Sequence, residues 1–279
     1  MASRPPAAHE GPAMRATTLV PVGETELEVA EWGRGEPVVF VQTALTADEC
    51  EPLAEQPALA PYRRILYRRR GYGRSGPATG AGSIVRDAAD CRALLAALRV
   101  GRAHLVGLSY SGAVVLQLAA DAPGLVQTLT LLEPPPVRTP SAPDFRAVCE
   151  RLIGIRRERG APAALQEFLR VVPGAAFHGA SPAERDVLTF FDADLPALLG
   201  WRFGAEDARR VGCPVLHVGG SDSGRFFAEM RELVRAWLPH AEDVVIQGAD
   251  HALALTHAGE IGEVLAAFLR RHPSGTQPR

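Results

Sequence analysis

Acyl transfer is the chemistry that a serine at position 109, a histidine at 251 and acids at 222 and 133 could carry in this chain. A serine hydroxyl is a weak nucleophile, so it needs a base to take its proton and an acid to orient that base. Ser109 stands in Gly107-Leu108-Ser109-Tyr110-Ser111-Gly112, where the apolar run AHLVGL meets the helical stretch SGAVVLQLAADAP. A sharp strand-to-helix turn tolerates only small residues two before and two after the nucleophile, and Gly107 and Ser111 satisfy that demand. The helix start behind the turn offers backbone N–H groups and a positive dipole end to a developing oxyanion. Two other readings stay open at this point. The serines could simply cap a helix, or Ser111 could act from inside its first turn.

His251 lies in GADHALALTHAGE, after the strand-like DVVIQG and before the last helix, on the kind of loop that presents a base. His257 is its competitor, at the start of that helix. His104, His217 and His240 sit on or beside regular elements, and His178, in the insertion between β-like runs, could face a pocket. Asp222 follows the strand PVLHVGG and is preferred as the orienting acid over Glu133, which ends the strand LTLLE. The alternative role for Asp222 is to cap the helix RFFAEM.

Alternating short apolar runs and amphipathic stretches must position these residues. TTLVPV and TELEVAEW read as an antiparallel start, followed by strands PVVFVQ, RRILYRR, AHLVGL, LVQTLTLLE, PVLHVGG and DVVIQG. The helices include SIVRDAADCRALLAALRV, with Ser83 as its cap, and EIGEVLAAFLRRH. This alternation implies an α/β fold, with a mostly parallel central sheet flanked by helices. Residues 137–211 interrupt it with helical stretches and no clear strand. The expected organisation is a disordered leader (1–16), a core formed by 17–136 and 212–272, a helical insertion (137–211) and a disordered tail (273–279).

Composition excludes several chemistries. The chain has 279 residues, a net charge of −2, and neither lysine nor asparagine. Lysine Schiff bases, a Walker A phosphate loop and the kinase strand lysine are therefore ruled out. Near-neutral charge gives no field for nucleic acid. No run of about 18 apolar residues predicts a membrane span. The four cysteines (Cys50, Cys91, Cys149, Cys213) form no C-x-x-C pair. The expectation is a cytoplasmic protein with no metal or cofactor, acting on a small molecule, with a homodimer left open.

The segments RRRGYGRS (68–75), HLVGLSYSG (104–112), LLEPP (131–135), PVLHVGGSD (214–222) and GADH (248–251) resemble the α/β-hydrolase superfamily, in the group whose helical cap lies between the sixth and seventh strands. The resemblance spans about residues 17–272. It implies a triad of Ser109, Asp222 and His251, and an oxyanion hole using the N–H of Tyr110. The second donor would come from the loop after PVVFVQ, where Gln42-Thr43 replaces the family's usual His-Gly. Ala44 N–H, Thr43 N–H or the Thr43 hydroxyl are the candidates, and Gln42 could add its amide. Arg68 replaces an Asp that is common in the family, raising the question of an anion-binding arginine cluster.

The insertion's aromatics (Phe145, Phe168, Phe177, Phe190, Phe191, Trp201, Phe203) would pack it onto the core, leaving a few, with Phe190 and Trp201 as candidates, to line an apolar pocket. The implied activity is cleavage of an ester, thioester, lactone or activated C–C bond through an acyl-enzyme. The alternatives are a non-hydrolytic enzyme on the same fold (perhydrolase or haloperoxidase-like, lyase or cyclase) and a non-catalytic ligand-binding module.

Overall fold

The computed structural model describes residues 17–171 and 182–274. The predicted leader, part of the tail, Phe177 and His178 lie outside the described residues. Eight strands form one sheet: β1 (Thr17–Val22), β2 (Thr25–Trp32), β3 (Pro37–Val41), β4 (Arg63–Arg68), β5 (Ala103–Leu108), β6 (Val126–Leu132), β7 (Val215–Gly220) and β8 (Glu242–Ile246). Their order is β1-β2-β4-β3-β5-β6-β7-β8. β1–β2 and β2–β4 pair antiparallel, and every later pairing is parallel. β5 and β6 are buried along their whole length, which is why both read as unbroken apolar runs rather than alternating ones.

Helices cover both faces. α1 (Glu51–Ala54), α2 (Ile84–Ala97) and α3 (Tyr110–Asp121) come before β7, and α9 (Arg225–Trp237), α10 (Leu253–Thr256) and α11 (Ala258–Arg271) after it. α2, α3 and α9 bury Leu94, Val114 and Val234 with Leu105 and Leu129 of the sheet. α1, α10 and α11 bury Leu53, Leu253 and Phe268 with Phe40 and Val106 on the other face. Ser83 caps α2 as its sequence predicts, its side chain accepting from Arg86 N–H.

Between β6 and β7 run α4 (Ala142–Arg159), α5 (Ala161–Val171), α6 (Glu184–Thr189), a π-helical turn (Phe190–Asp194), α7 (Leu195–Gly200) and α8 (Ala205–Ala208), with no strand among the described residues. This segment seats on the loop after β4. A Cβ at Gly71 would come within 2.5 Å of Thr189, and one at Gly82 within 2.1 Å of the Ala193 carbonyl oxygen. Arg185 adds hydrogen bonds to the carbonyls of Gly73 and Ser75 at 2.6 and 2.5 Å. Among the described residues no helix is long and apolar enough to cross a membrane.

Candidate active site

Parallel strands end on a common edge, and the crevice beyond their carboxyl ends is where an open α/β sheet places its ligands. Ser109 leaves β5 there with φ 49° and ψ −118°, a left-handed backbone that L-residues adopt only under constraint. Its N–H is held by the Leu132 carbonyl at 2.9 Å. A Cβ at Gly107 would come within 2.5 Å of the Ser111 carbonyl oxygen, so only glycine lets α3 fold back so tightly on its strand. Gly112 plays the matching part further along, where a Cβ would come within 2.9 Å of Pro134.

Ser111 is removed from contention as a nucleophile by its bonds. It is fully buried, and its hydroxyl accepts from Leu108 N–H and donates to the Leu108 carbonyl, both at 2.9 Å. It staples the turn that presents Ser109. Ser109 in turn makes no side-chain cap on α3, and the helix-capping reading gains no support from it.

The structure brings His251 to Glu133 rather than to Asp222. His251 Nδ1 lies 2.7 Å from Glu133 Oε2, and Gly220 N–H donates to Glu133 Oε1, also at 2.7 Å. Glu133 is buried, and burial alone would raise its pKa. The hydrogen bond and charge of His251, with the Gly220 N–H, outweigh that and hold the carboxyl below its ordinary range. An ionised carboxylate only accepts, so Nδ1 carries the hydrogen, and it is Nε2 that bears the lone pair whenever the ring is neutral. Phe227 stacks on the imidazole with centroids 4.0 Å apart and planes 18° from parallel, fixing its orientation. Leu108 and Leu132 are register partners across β5 and β6, so Ser109 and Glu133 leave adjacent strands at the same level.

The predicted Asp222–His251 pairing is therefore corrected. Asp222 is exposed, and its carboxylate accepts from Ser221 Oγ at 2.8 Å. It does not cap α9 either, whose N-cap is Gly224. Its contribution is through the backbone: Asp222 N–H donates to the Ala249 carbonyl at 2.9 Å, tying down the loop that carries His251. That closure requires Gly220, where a Cβ would come within 2.2 Å of the same carbonyl oxygen. His257 pairs with Thr256 Oγ1 at 2.8 Å, His217 with Asp243 at 3.0 Å, and His104 with Thr128 and Glu36.

The loop after β3 lies beside Ser109, because Val41 pairs with Gly107 and Thr43 Oγ1 donates to the Leu108 carbonyl at 2.8 Å. That bond commits the Thr43 hydroxyl and removes it as an oxyanion donor. The Gln42 amide is also committed: Nε2 donates to the carbonyls of Thr43 and, at 2.9 Å, Thr46. Gln42 is buried loop structure, not pocket wall. Thr43 and Ala44 keep backbone N–H groups with no acceptor among the described residues, while Leu45 N–H is held by the Tyr72 hydroxyl. Tyr110 N–H, at the first position of α3, has no intrahelical acceptor.

Trp201 also leaves the candidate pocket. It is buried against the sheet-side core, stacked on Phe203, with Nε1 donating to Gln117 at 2.8 Å. Phe190 sits with Phe191 and Leu152 in the cluster that also buries Leu45 and touches Ala44, so it borders the loop beside Ser109. The arginine cluster is neutralised residue by residue. Arg68 pairs with Glu28 and Asp48, Arg69 with Asp87 and Asp194, and Arg70 with Asp90. A cavity of about 450 Å³ opens between Gly71–Gly80 and Glu184–Ala193, and it includes none of Ser109, Glu133 and His251.

Comparison with known proteins agrees with this architecture. Residues 31–264 match the model of the alpha/beta hydrolase family. A protein of Synechocystis named "Putative non-heme chloroperoxidase" is 27% identical over 271 residues, covering 85% of this chain and 92% of its own. One of Pantoea ananatis named "Putative carbamate hydrolase RutD" is 27% identical over 244 residues, covering 78% and 83%. The structure of a thermophilic esterase from Thermogutta terrifontis superposes with a TM-score of 0.78 at 20% identity, covering 92% of this chain and all of that one, which speaks for the fold alone. With a family match over most of its length and the sheet order to go with it, the chain belongs to the alpha/beta hydrolase family.

Proposed function

We propose that the protein is a serine hydrolase cleaving an ester, thioester, lactone or activated C–C bond of a small, largely apolar substrate through an acyl-enzyme on Ser109. The observation that carries this reading is the 2.7 Å Glu133–His251 pair at the strand end next to the one that presents Ser109. With Nδ1–H donated to Glu133, Nε2 of His251 takes the Ser109 proton as Oγ attacks the acyl carbon. The same nitrogen then returns that proton to the leaving group. The developing oxyanion is met by Tyr110 N–H and by Thr43 or Ala44 N–H. Water, deprotonated by His251, attacks the acyl-enzyme and releases the acid. The helical insertion acts as the cap, and Phe190 supplies part of its apolar surface.

A fluorophosphonate probe and a chain-length series of chromogenic esters test this. The wild type should be labelled at Ser109 and turn over the esters, and Ser109→Ala should lose both. A folded wild type that stays unlabelled, or a Ser109→Ala variant that keeps turnover, overturns it. A second reading, perhydrolysis, draws on the name of the Synechocystis relative. In it hydrogen peroxide replaces water on the same acyl-enzyme and releases a peracid. Peroxide-dependent peracid formation that outpaces hydrolysis would favour it.

A further inference from the structure

Arg69 is the most heavily bonded side chain near the site, and the hydrolase reading gives it no part. It is fully buried. Its Nε donates to the Gln42 carbonyl at 2.9 Å and its Nη2 to the Thr43 carbonyl at 3.0 Å. These two carbonyls belong to the peptide units whose N–H groups are those of Thr43 and Ala44. In a trans peptide C=O and N–H point in opposite directions, and the chain has no cis peptide among its described residues. A guanidinium gripping both carbonyls therefore turns both N–H groups to the other side. It also polarises each unit and strengthens the donor.

The grip is set from the helical insertion. Asp194, in the π-helical turn, accepts from Arg69 Nη1 at 3.1 Å and Nη2 at 2.7 Å, and from the Tyr72 hydroxyl at 2.6 Å. The Tyr72 oxygen in turn accepts Leu45 N–H at 2.9 Å. Asp87 completes the cluster, pairing with Arg69 Nη1 and accepting from the Tyr110 hydroxyl at 2.9 and 2.7 Å. Arg69 also lies 4.0 Å above the Tyr110 ring. Gln42 belongs to the same unit, because its Oε1 accepts Arg69 N–H.

We infer that Arg69 and Asp194 are positioning residues for the oxyanion hole, so that docking of the helical insertion aims the Thr43 and Ala44 N–H groups at the reacting centre. This rests on the serine-hydrolase reading.

The test compares Asp194→Asn with Arg185→Met. Both loosen the insertion, but only Asp194 is wired to the loop after β3. For a chromogenic ester, Asp194→Asn should lower kcat by about 10–100-fold, short of the 10²–10³-fold cost of deleting one oxyanion donor. KM should stay within about twofold. Affinity for a trifluoromethyl ketone, which forms the oxyanion on Ser109, should fall by the same factor as kcat. Arg185→Met should leave kcat and ketone affinity within about twofold. Should Asp194→Asn not fold, Tyr72→Phe removes the link between Leu45 N–H and Asp194, and should show the same pattern at about 3–10-fold.

If the folded variant keeps wild-type kcat and ketone affinity, or Arg185→Met loses as much as Asp194→Asn, the inference is overturned while the hydrolase reading stands. A wild type inert to ester, ketone and fluorophosphonate overturns both.

Discussion

Replacing Glu133 by Gln separates the two candidate acids, and its effect can be worked from the hydrogen bonds. Each oxygen of Glu133 serves its own N–H, Oε1 from Gly220 and Oε2 from His251, both at 2.7 Å. Glutamine has one acceptor oxygen. If it faces His251, the NH₂ group opposes Gly220 N–H and leaves that donor without its partner, at about 1–3 kcal/mol. If it faces Gly220, the NH₂ group meets Nδ1, which must then offer a lone pair, and the ring hydrogen moves to Nε2. The second arrangement satisfies more groups, and its histidine cannot take the Ser109 proton. The same wrong-tautomer defect costs about 10⁴-fold in the serine proteases. Here kcat should fall by about 10³–10⁴-fold, equivalent to ~4–5.5 kcal/mol of barrier. KM should change less than about threefold. Asp222→Asn touches only an exposed contact with Ser221 and should stay within about twofold. Steady-state ester hydrolysis, with circular dichroism to confirm folding, reads both. A large loss in Asp222→Asn beside a near-normal Glu133→Gln would refute the assignment.

Ser111→Ala should keep fluorophosphonate labelling at Ser109 while losing about 1–3 kcal/mol of stability, since Leu108 N–H loses its buried acceptor. Abolished labelling in a folded variant would count against Ser109. Glu28 gives a stability signature that involves none of Ser109, Glu133 and His251. Burial opposes its charge, but the N–H and guanidinium of Arg74, the Thr17 hydroxyl and Arg68 prevail and bring its pKa from 4.5 to about 2. A lowered folded-state pKa contributes stability that is present above the unfolded value and is lost as pH falls through the folded one. The stability difference between wild type and Glu28→Gln, from urea unfolding, should be flat down to about pH 5 and shrink from about 4.5 towards 2. A difference that does not change with pH would contradict it.

Much of this arrangement was legible in the sequence because it is written in local pattern. Gly107, Ser109 and the switch from AHLVGL to an Ala-rich helix mark the turn, and a helix-period insertion without strands marks what lies between β6 and β7. The choice between Asp222 and Glu133 is not local. Both follow an apolar strand, and which carboxylate meets His251 depends on backbone direction at the strand end. Glu133 has φ 43°, which no residue type announces, whereas Asp222 has its N–H tied to Ala249 and its side chain turned outward. The rival reading of Glu133 rested on its position alone, and position was the useful signal. Arg69 was hidden for another reason. Within the run RRR nothing sets it apart from its neighbours, and its partner Asp194 is 125 residues away. Trp201 and Gln42 misled because an amphipathic side chain beside a site can as easily serve the core. Their polar atoms are committed to Gln117 and to the loop carbonyls.

Three of the four described non-glycine residues with positive φ stand at this edge: Leu45 at 68°, Ser109 at 49° and Glu133 at 43°. A strand can send a side chain only to one face or the other. A residue that must project into the crevice beyond the strand end has to leave the β region, and a left-handed step does so within one residue. Such steps cost about 1–3 kcal/mol each and persist only where the surroundings hold them. Here the holding bonds pass along the sheet. Ser109 N–H rests on Leu132 of β6, Glu133 N–H on Val218 of β7 at 3.1 Å, and Gly220 N–H of β7 returns to the Glu133 carboxylate. Ser109 and Glu133 are thus fixed by the next strand's register, while Leu45 N–H is held by the Tyr72 hydroxyl. The placing of Ser109 and Glu133 is a property of the β5–β6–β7 pairing, whereas the loop after β3 is tied to β5 through Thr43 Oγ1 and also to Asp194 of the helical insertion through Arg69 and Tyr72.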